Sequence, residues 1–254
     1  MKSEGKQKFS LTGLLVVIGA LALFAIVLAP AISQAKLKAE LMAVSSRGRD
    51  IFVAITAASC NEPLGLRDIW PRTQIDEGNS RNATEIDISD MTFSNSTRYF
   101  YVLLDGANIE TPYLWEPYAL GIDYSTLAGF GVPKMVGTGE LKPENNMWCI
   151  AANIHYDIDD TIPVLVTRNV DCSSFYINTQ ANPDTPLRWS QQYAAPFGNR
   201  GFVIIRKGGA VFYGTAKEAT TGAVYPIGDG SPIAGNTNLA SLVYLTPDGI
   251  AYPQ

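Results

Sequence analysis

Between Phe9 and Ala29 the chain runs for 21 residues without a charged side chain, and almost every position is apolar. As a helix rising about 1.5 Å per residue, this stretch reaches roughly 31 Å, the thickness of one bilayer core. No second run approaches about 18 apolar residues, which excludes a polytopic membrane protein. The other residues read as a polar, turn-rich domain. With 10% aromatic and only 17% charged residues, the 254-residue chain is not a disordered one, and its length allows one sizeable domain or two small ones. The net charge of −5, with no Lys/Arg block beyond the first few residues, speaks against a nucleic-acid partner. Lys2, Lys6 and Lys8 outweigh Glu4 ahead of the span, so the N-terminus is expected in the cytoplasm and the remainder outside.

Three readings of the span compete. A cleaved signal peptide has a small-x-small site in Ser33-Gln34-Ala35, but its apolar core is ordinarily only about 7–15 residues. A plain signal anchor would end near Pro30. The third reading is a longer helix. Leu37, Leu41, Val44, Gly48, Ile51 and Ile55 recur every three or four positions, with Lys38, Glu40, Arg47 and Asp50 largely off that face. No proline intervenes between Pro30 and Pro63. The pattern predicts one helix from Phe9 to about Ala58, bent at Pro30 and about 75 Å long. Its first half suits a membrane and its second half suits packing on a globular head.

Phe9, Leu11, Leu14, Leu15, Val16, Val17 and Ile18 resemble the F-T-L-x-E-L-L-V-V-I opening of type IV pilins and type II secretion pseudopilins. A short basic leader, residues 1–8, precedes that Phe as in the family. Pro30 is the 22nd residue counted from Phe9, where the family usually carries its helix-bending proline, and Ala31 to Lys38 resembles the family's continuation. Further on, the Asn145–Trp148 (NNMW) and Ile162–Asn169 (IPVLVTRN) stretches resemble large pilin-like proteins of the planctomycete–verrucomicrobia type. The chain departs from the pattern twice. Lys8 stands where the family has the Gly preceding the processing cut, and Gly13 stands where it has Glu. In the family that Glu offsets the α-amino group that cleavage leaves in the bilayer, an otherwise costly buried charge. A chain left uncut at the Lys8–Phe9 junction has no such amine, so the two departures are mutually consistent. They also fit a tip-like minor pseudopilin, a group that the family allows to lack this Glu.

Residues 59–254 are expected to form an α+β head: an antiparallel sheet packed on the second half of the long helix, as the resemblance also implies. Residues 61–65 (NEPLG) end that helix. Residues 71–96 read as exposed loop, and Asn82-Ala83-Thr84 and Asn95-Ser96-Thr97 fit a glycosylation acceptor pattern that implies exposure. Residues 96–104 (STRYFYVLL) suit a short helix or a strand, and 111–145 short irregular pieces. Met147–Ile154, Ile162–Thr167 and Leu242–Leu245 read as strands, the last leading into the turn Pro247-Asp248-Gly249. Phe202–Arg206 and Ala210–Tyr213 flank Lys207-Gly208-Gly209 as a hairpin.

The chemistry-bearing candidates are few. His155-Tyr156-Asp157-Ile158-Asp159-Asp160 carries carboxylates at Asp157, Asp159 and Asp160 that suit Ca²⁺, which some pseudopilins bind, but the spacing fails the EF-hand pattern and an acidic turn explains it better. His155 is the only histidine, and no G-x-S-x-G, H-E-x-x-H or phosphate-loop motif is present, so no catalytic residues and no cofactor are expected. Of the three cysteines, Cys149 lies in one predicted strand and Cys172 just after the next, so these two could meet, leaving Cys60 at the helix end as the spare. Trp70, Trp115, Trp148 and Trp189 suit core packing better than a carbohydrate platform.

The expected function is therefore a non-enzymatic pilin-like subunit held in a bacterial inner membrane, with its head periplasmic or carried out on a filament. It would assemble with other pilin or pseudopilin subunits through Phe9, Gly13, Leu14, Pro30 and the small residues between them. The alternative is a monomeric, single-pass anchor presenting a periplasmic binding domain.

Overall fold

The structure, a computed structural model, describes residues 11–60, 69–73, 92–105, 122–135, 141–154, 158–176, 184–220, 222 and 242–251. Helix α1 runs from Leu11 to Cys60 and contains Pro30. Proline removes one amide donor from the ladder, but enough apolar, helix-forming sequence lies on both sides for the helix to continue. The predicted start at Phe9 lies outside the described residues. The chain divides into two compact units, residues 1–40 and 41–254. The boundary falls inside α1, so the helix's last twenty residues belong to the head.

Among the described residues of the head, six antiparallel strands form one sheet in the order β4-β3-β2-β1-β5-β6. The strands are β1 Trp148–Ala152, β2 Pro163–Thr167, β3 Gly201–Arg206, β4 Val211–Thr215, β5 Val243–Leu245 and β6 Ile250–Ala251. The long helix with this sheet makes the fold α+β, as expected. The central strands are buried along their whole length, which is why they read as continuous apolar runs and not as alternation. Pro163 opens β2, where a missing amide costs least. Ile150 lies opposite Leu165 on β2 and Leu245 on β5, so β1 is tied on both sides.

One sheet face packs on α1. Leu41, Val44, Gly48, Ile51 and Ile55 of the helical stripe are all buried. Gly48 is the point of closest approach: a Cβ there would lie 2.6 Å from Trp148 Cη2 and 3.0 Å from Ile205 Cδ1. Gly201 makes a similar approach to Leu41. Because strand side chains alternate, Ile150, Leu165 and Val203 share this face. The stripe's four large apolar side chains contribute roughly 1.5–3 kcal/mol each by leaving water. Arg47, expected off the stripe, folds back to donate to the Ala128 carbonyl.

The opposite sheet face carries Cys149, Ala151, Val164, Val166, Phe202, Ile204 and Tyr244. It is closed by Ile158, Ile162, Val170, Leu187, and Cys172 and Phe175 from the 3₁₀ helix Cys172–Tyr176. The Phe175 and Tyr244 rings meet at a tilt of 49° with centroids 5.2 Å apart, and the Tyr244 hydroxyl donates to the Pro163 carbonyl at 2.8 Å.

Residues 96–105 resolve the helix-or-strand ambiguity as helix α2, Ser96–Asp105. The Asn95 side chain caps it by accepting from the Arg98 amide at 2.8 Å. The exposure implied by the Asn95-Ser96-Thr97 pattern is corrected here. Ser96 and Thr97 are buried, their hydroxyls donating to the Trp148 and Pro247 carbonyls. Asn82 lies outside the described residues. Helix α3, Tyr124–Leu127, is capped by Asp123, and a 3₁₀ turn, Pro143–Asn145, precedes β1. The turn after β5 closes a hairpin with β6, a strand that sequence reading did not anticipate.

Candidate functional site: the exposed apolar helix

The first part of α1 stands out for its exposed apolar surface. Leu11, Leu14, Leu15, Val16, Val17, Ile18, Leu21, Leu23, Phe24, Ile26, Val27, Leu28 and Ile32 are all exposed, Leu11 at 80% and Val27 at 71%. Five of them, Leu14 to Ile18, are consecutive and therefore point in every direction around the helix. A helix that is apolar on all sides has no water-compatible face. The first charged residue within α1 is Lys36, which pairs with Glu40 one turn on. By length and composition this is the one described helix able to cross a membrane, and its most apolar window is wholly unburied.

Small residues punctuate the surface. Gly13, Gly19, Ala20, Ala22, Ala25 and Ala29 lower its relief, and a Cβ at Gly19 would meet nothing within 4 Å. Gly13 and Leu14 sit in the first turn and Pro30 in the middle of the helix, all without a charged neighbour. Such a surface lets a second helix approach closely in lipid, where packing rather than water exclusion holds helices together. Lys8 and Phe9, the doubtful processing junction, lie outside the described residues.

The head's candidates are dispersed. Asp159 Oδ1 accepts the Thr161 amide at 2.7 Å, and this bond, followed by others from Thr161, holds its carboxyl below the ordinary range. Asp160 lies 3.6 Å from Lys207 Nζ, and Lys207 also donates to the Ile158 carbonyl. The two aspartates thus serve as turn cap and ion-pair partner where the 158–162 turn docks on the β3–β4 hairpin. Asp157 and His155 lie outside the described residues, among which no group of three or more His, Cys, Asp or Glu could hold a metal ion. Gly208-Gly209 is the hairpin turn, with Gly209 at φ +79°. Trp148 is fully buried, Trp70 and Trp189 are half-buried against the core, and Trp115 lies outside the described residues.

Cys149 and Cys172 do come together. Both are buried thiols of the same apolar cluster, near enough for Cys149 to act on the Cys172 thiol. The Cys149 thiol beside it, then burial, pushes the Cys172 thiol well above its ordinary value.

Sequence reading missed Arg168. Its guanidinium is buried and donates to backbone carbonyls. Nη1 donates to the carbonyls of Pro143 and Asn146, both at 2.8 Å, and Nε to Ala195 at 3.2 Å. The Tyr193 ring covers it at 4.7 Å. A cation directly after a strand that reads as core was the one available signal. Comparison with protein-family models, curated proteins and solved structures finds no match to this chain.

Proposed function

We propose that the protein is a non-enzymatic, pilin-like structural subunit, anchored by α1 and assembling through it into a type IV pilus or a type II secretion pseudopilus. One observation carries this reading: Leu11–Cys60 is a single helix, apolar and exposed on every side at its start, and the core element of a globular head at its end. A plain anchor requires only the first of these properties. A filament subunit that packs through its N-terminal helix calls for both. The pilin-like residues from Phe9 to Lys38 support the same reading, as does the run of small residues along the helix.

In this reading the subunit is stored in the inner membrane, N-terminus in the cytoplasm and head in the periplasm. Lys8 and Gly13 point to a subunit that is either unprocessed or specialised. Intact-mass measurement of the native protein separates the two: a species lacking residues 1–8 and methylated at Phe9 refutes the unprocessed form. Assembly is tested by single cysteines placed along residues 13–30 in cells carrying filament machinery. Ladders of cross-linked multimers are expected. Monomer alone at every position would instead favour the single-pass anchor with a periplasmic binding domain.

A further inference from the structure

The head's far sheet face holds two thiols that the filament reading does not use. Cys149 lies on β1 opposite Val166 of β2, and Cys172 follows β2 after a turn in which the Val170 amide donates to Thr167. The β1–β2 pairing and this turn bring the two side chains together from positions 23 residues apart in sequence. They lie inside one apolar cluster with Val166, Val170 and Phe175, 1% and 2% exposed, near enough for Cys149 to act on the Cys172 thiol. Cys172 Sγ also faces the Val170 carbonyl at 3.9 Å.

We propose that Cys149 and Cys172 are a dithiol site that closes into an intrachain disulfide when the head folds under oxidising conditions. Both S–H bonds break and one S–S bond forms. The two protons and two electrons pass to the disulfide of an oxidant such as oxidised glutathione, which leaves as two thiols. The buried Cys172 thiol, pushed above its ordinary value, is a poor nucleophile in the folded head, so exchange belongs to the stage before the far face closes. Once formed, the bond is shielded by the same side chains from reductants that act on exposed disulfides.

The inference does not depend on the filament reading. The test uses the full chain in detergent, as wild type and as Cys60→Ser, which leaves only the pair. Each is denatured, reduced, and refolded in mixed oxidised and reduced glutathione. It is then denatured again in excess N-ethylmaleimide and digested for peptide mass. The expected result is no maleimide on Cys149 or Cys172 and one cross-linked peptide pair two hydrogens lighter than its halves. In the wild type, maleimide sits on Cys60 alone. Maleimide on both Cys149 and Cys172, glutathione left on either, or a cross-link between chains overturns the proposal. The same alkylation of protein taken directly from cells bears on topology. A cross-link formed in glutathione but absent in cells would count against a periplasmic head and leave the dithiol site standing.

Discussion

Gly48 shows how one residue can be chosen against its own helical preference. Alanine is about 1 kcal/mol better in a helix interior, yet a methyl group here meets the buried Trp148 ring at 2.6 Å. Overpacking of this kind costs about 1–3 kcal/mol, so Gly48→Ala should destabilise the head by about 1 kcal/mol where propensity alone predicts a gain. Urea unfolding of the full chain in detergent, followed by tryptophan fluorescence, reads the sign. Arg168 makes the complementary point. Its buried charge is offset by carbonyls of two segments and one aromatic face, and desolvation holds its pKa below the ordinary value. Arg168→Met keeps the stem but strands those carbonyls, for an expected loss of about 3 kcal/mol in the same assay. The titrating residues set the pH limits. Ser125, through its hydroxyl, is the main cause holding Asp123 below its ordinary value, and Thr161 does the same for Asp159. Their contributions are present above about pH 4 and are lost as pH falls through the lowered values. Tyr193 runs the other way: burial, then the Asp248 hydrogen bond, pushes it up. Its contribution is present below about pH 10 and is lost as the unfolded chain ionises above that. Thermal melts should therefore fall at both ends, and Tyr193→Phe should flatten the alkaline fall specifically.

At the scale of elements, legibility followed from how a segment is stabilised. The helix stripe Leu41, Val44, Gly48, Ile51 and Ile55 and the runs that became β1, β2 and β3 carry their burial in their own spacing, so pattern alone located them. The β3–β4 turn was equally plain, because Gly209 needs positive φ and sits 3.1 Å from the Phe52 ring by its would-be Cβ. Gly209→Val should cost roughly 1–2 kcal/mol from the left-handed backbone alone. Elements that exist only through distant partners were not legible. Strand β6 is two residues long and is held by β5. Helix α2 was ambiguous because its buried hydroxyls are satisfied by carbonyls 52 and 150 residues away. The same applies to Arg168, whose acceptors come from segments that the sequence shows only as irregular. The membrane-type surface of α1 lies at the opposite extreme, since it needs no tertiary partner to be recognised.

For the whole molecule, the two compact units make separate demands on solvent. A chain beginning at Ala31 loses nearly all the exposed apolar side chains of α1 and keeps every buried residue of the head. It should be recovered in the aqueous fraction, whereas the full chain partitions into membranes or detergent. Fractionation followed by circular dichroism checks both halves of that statement. A truncated head found only in aggregates would mean that the apolar segment also stabilises the fold.

The division between the units falls within an unbroken helix, and this has a mechanical consequence. A tension applied through the residues before Leu41 reaches the head through its own core helix. The contacts of Leu41, Val44, Gly48, Ile51 and Ile55 then share the load along the sheet instead of peeling one at a time from a loosely attached end. A chain pulled in this way would hold up to the force that ruptures the core itself.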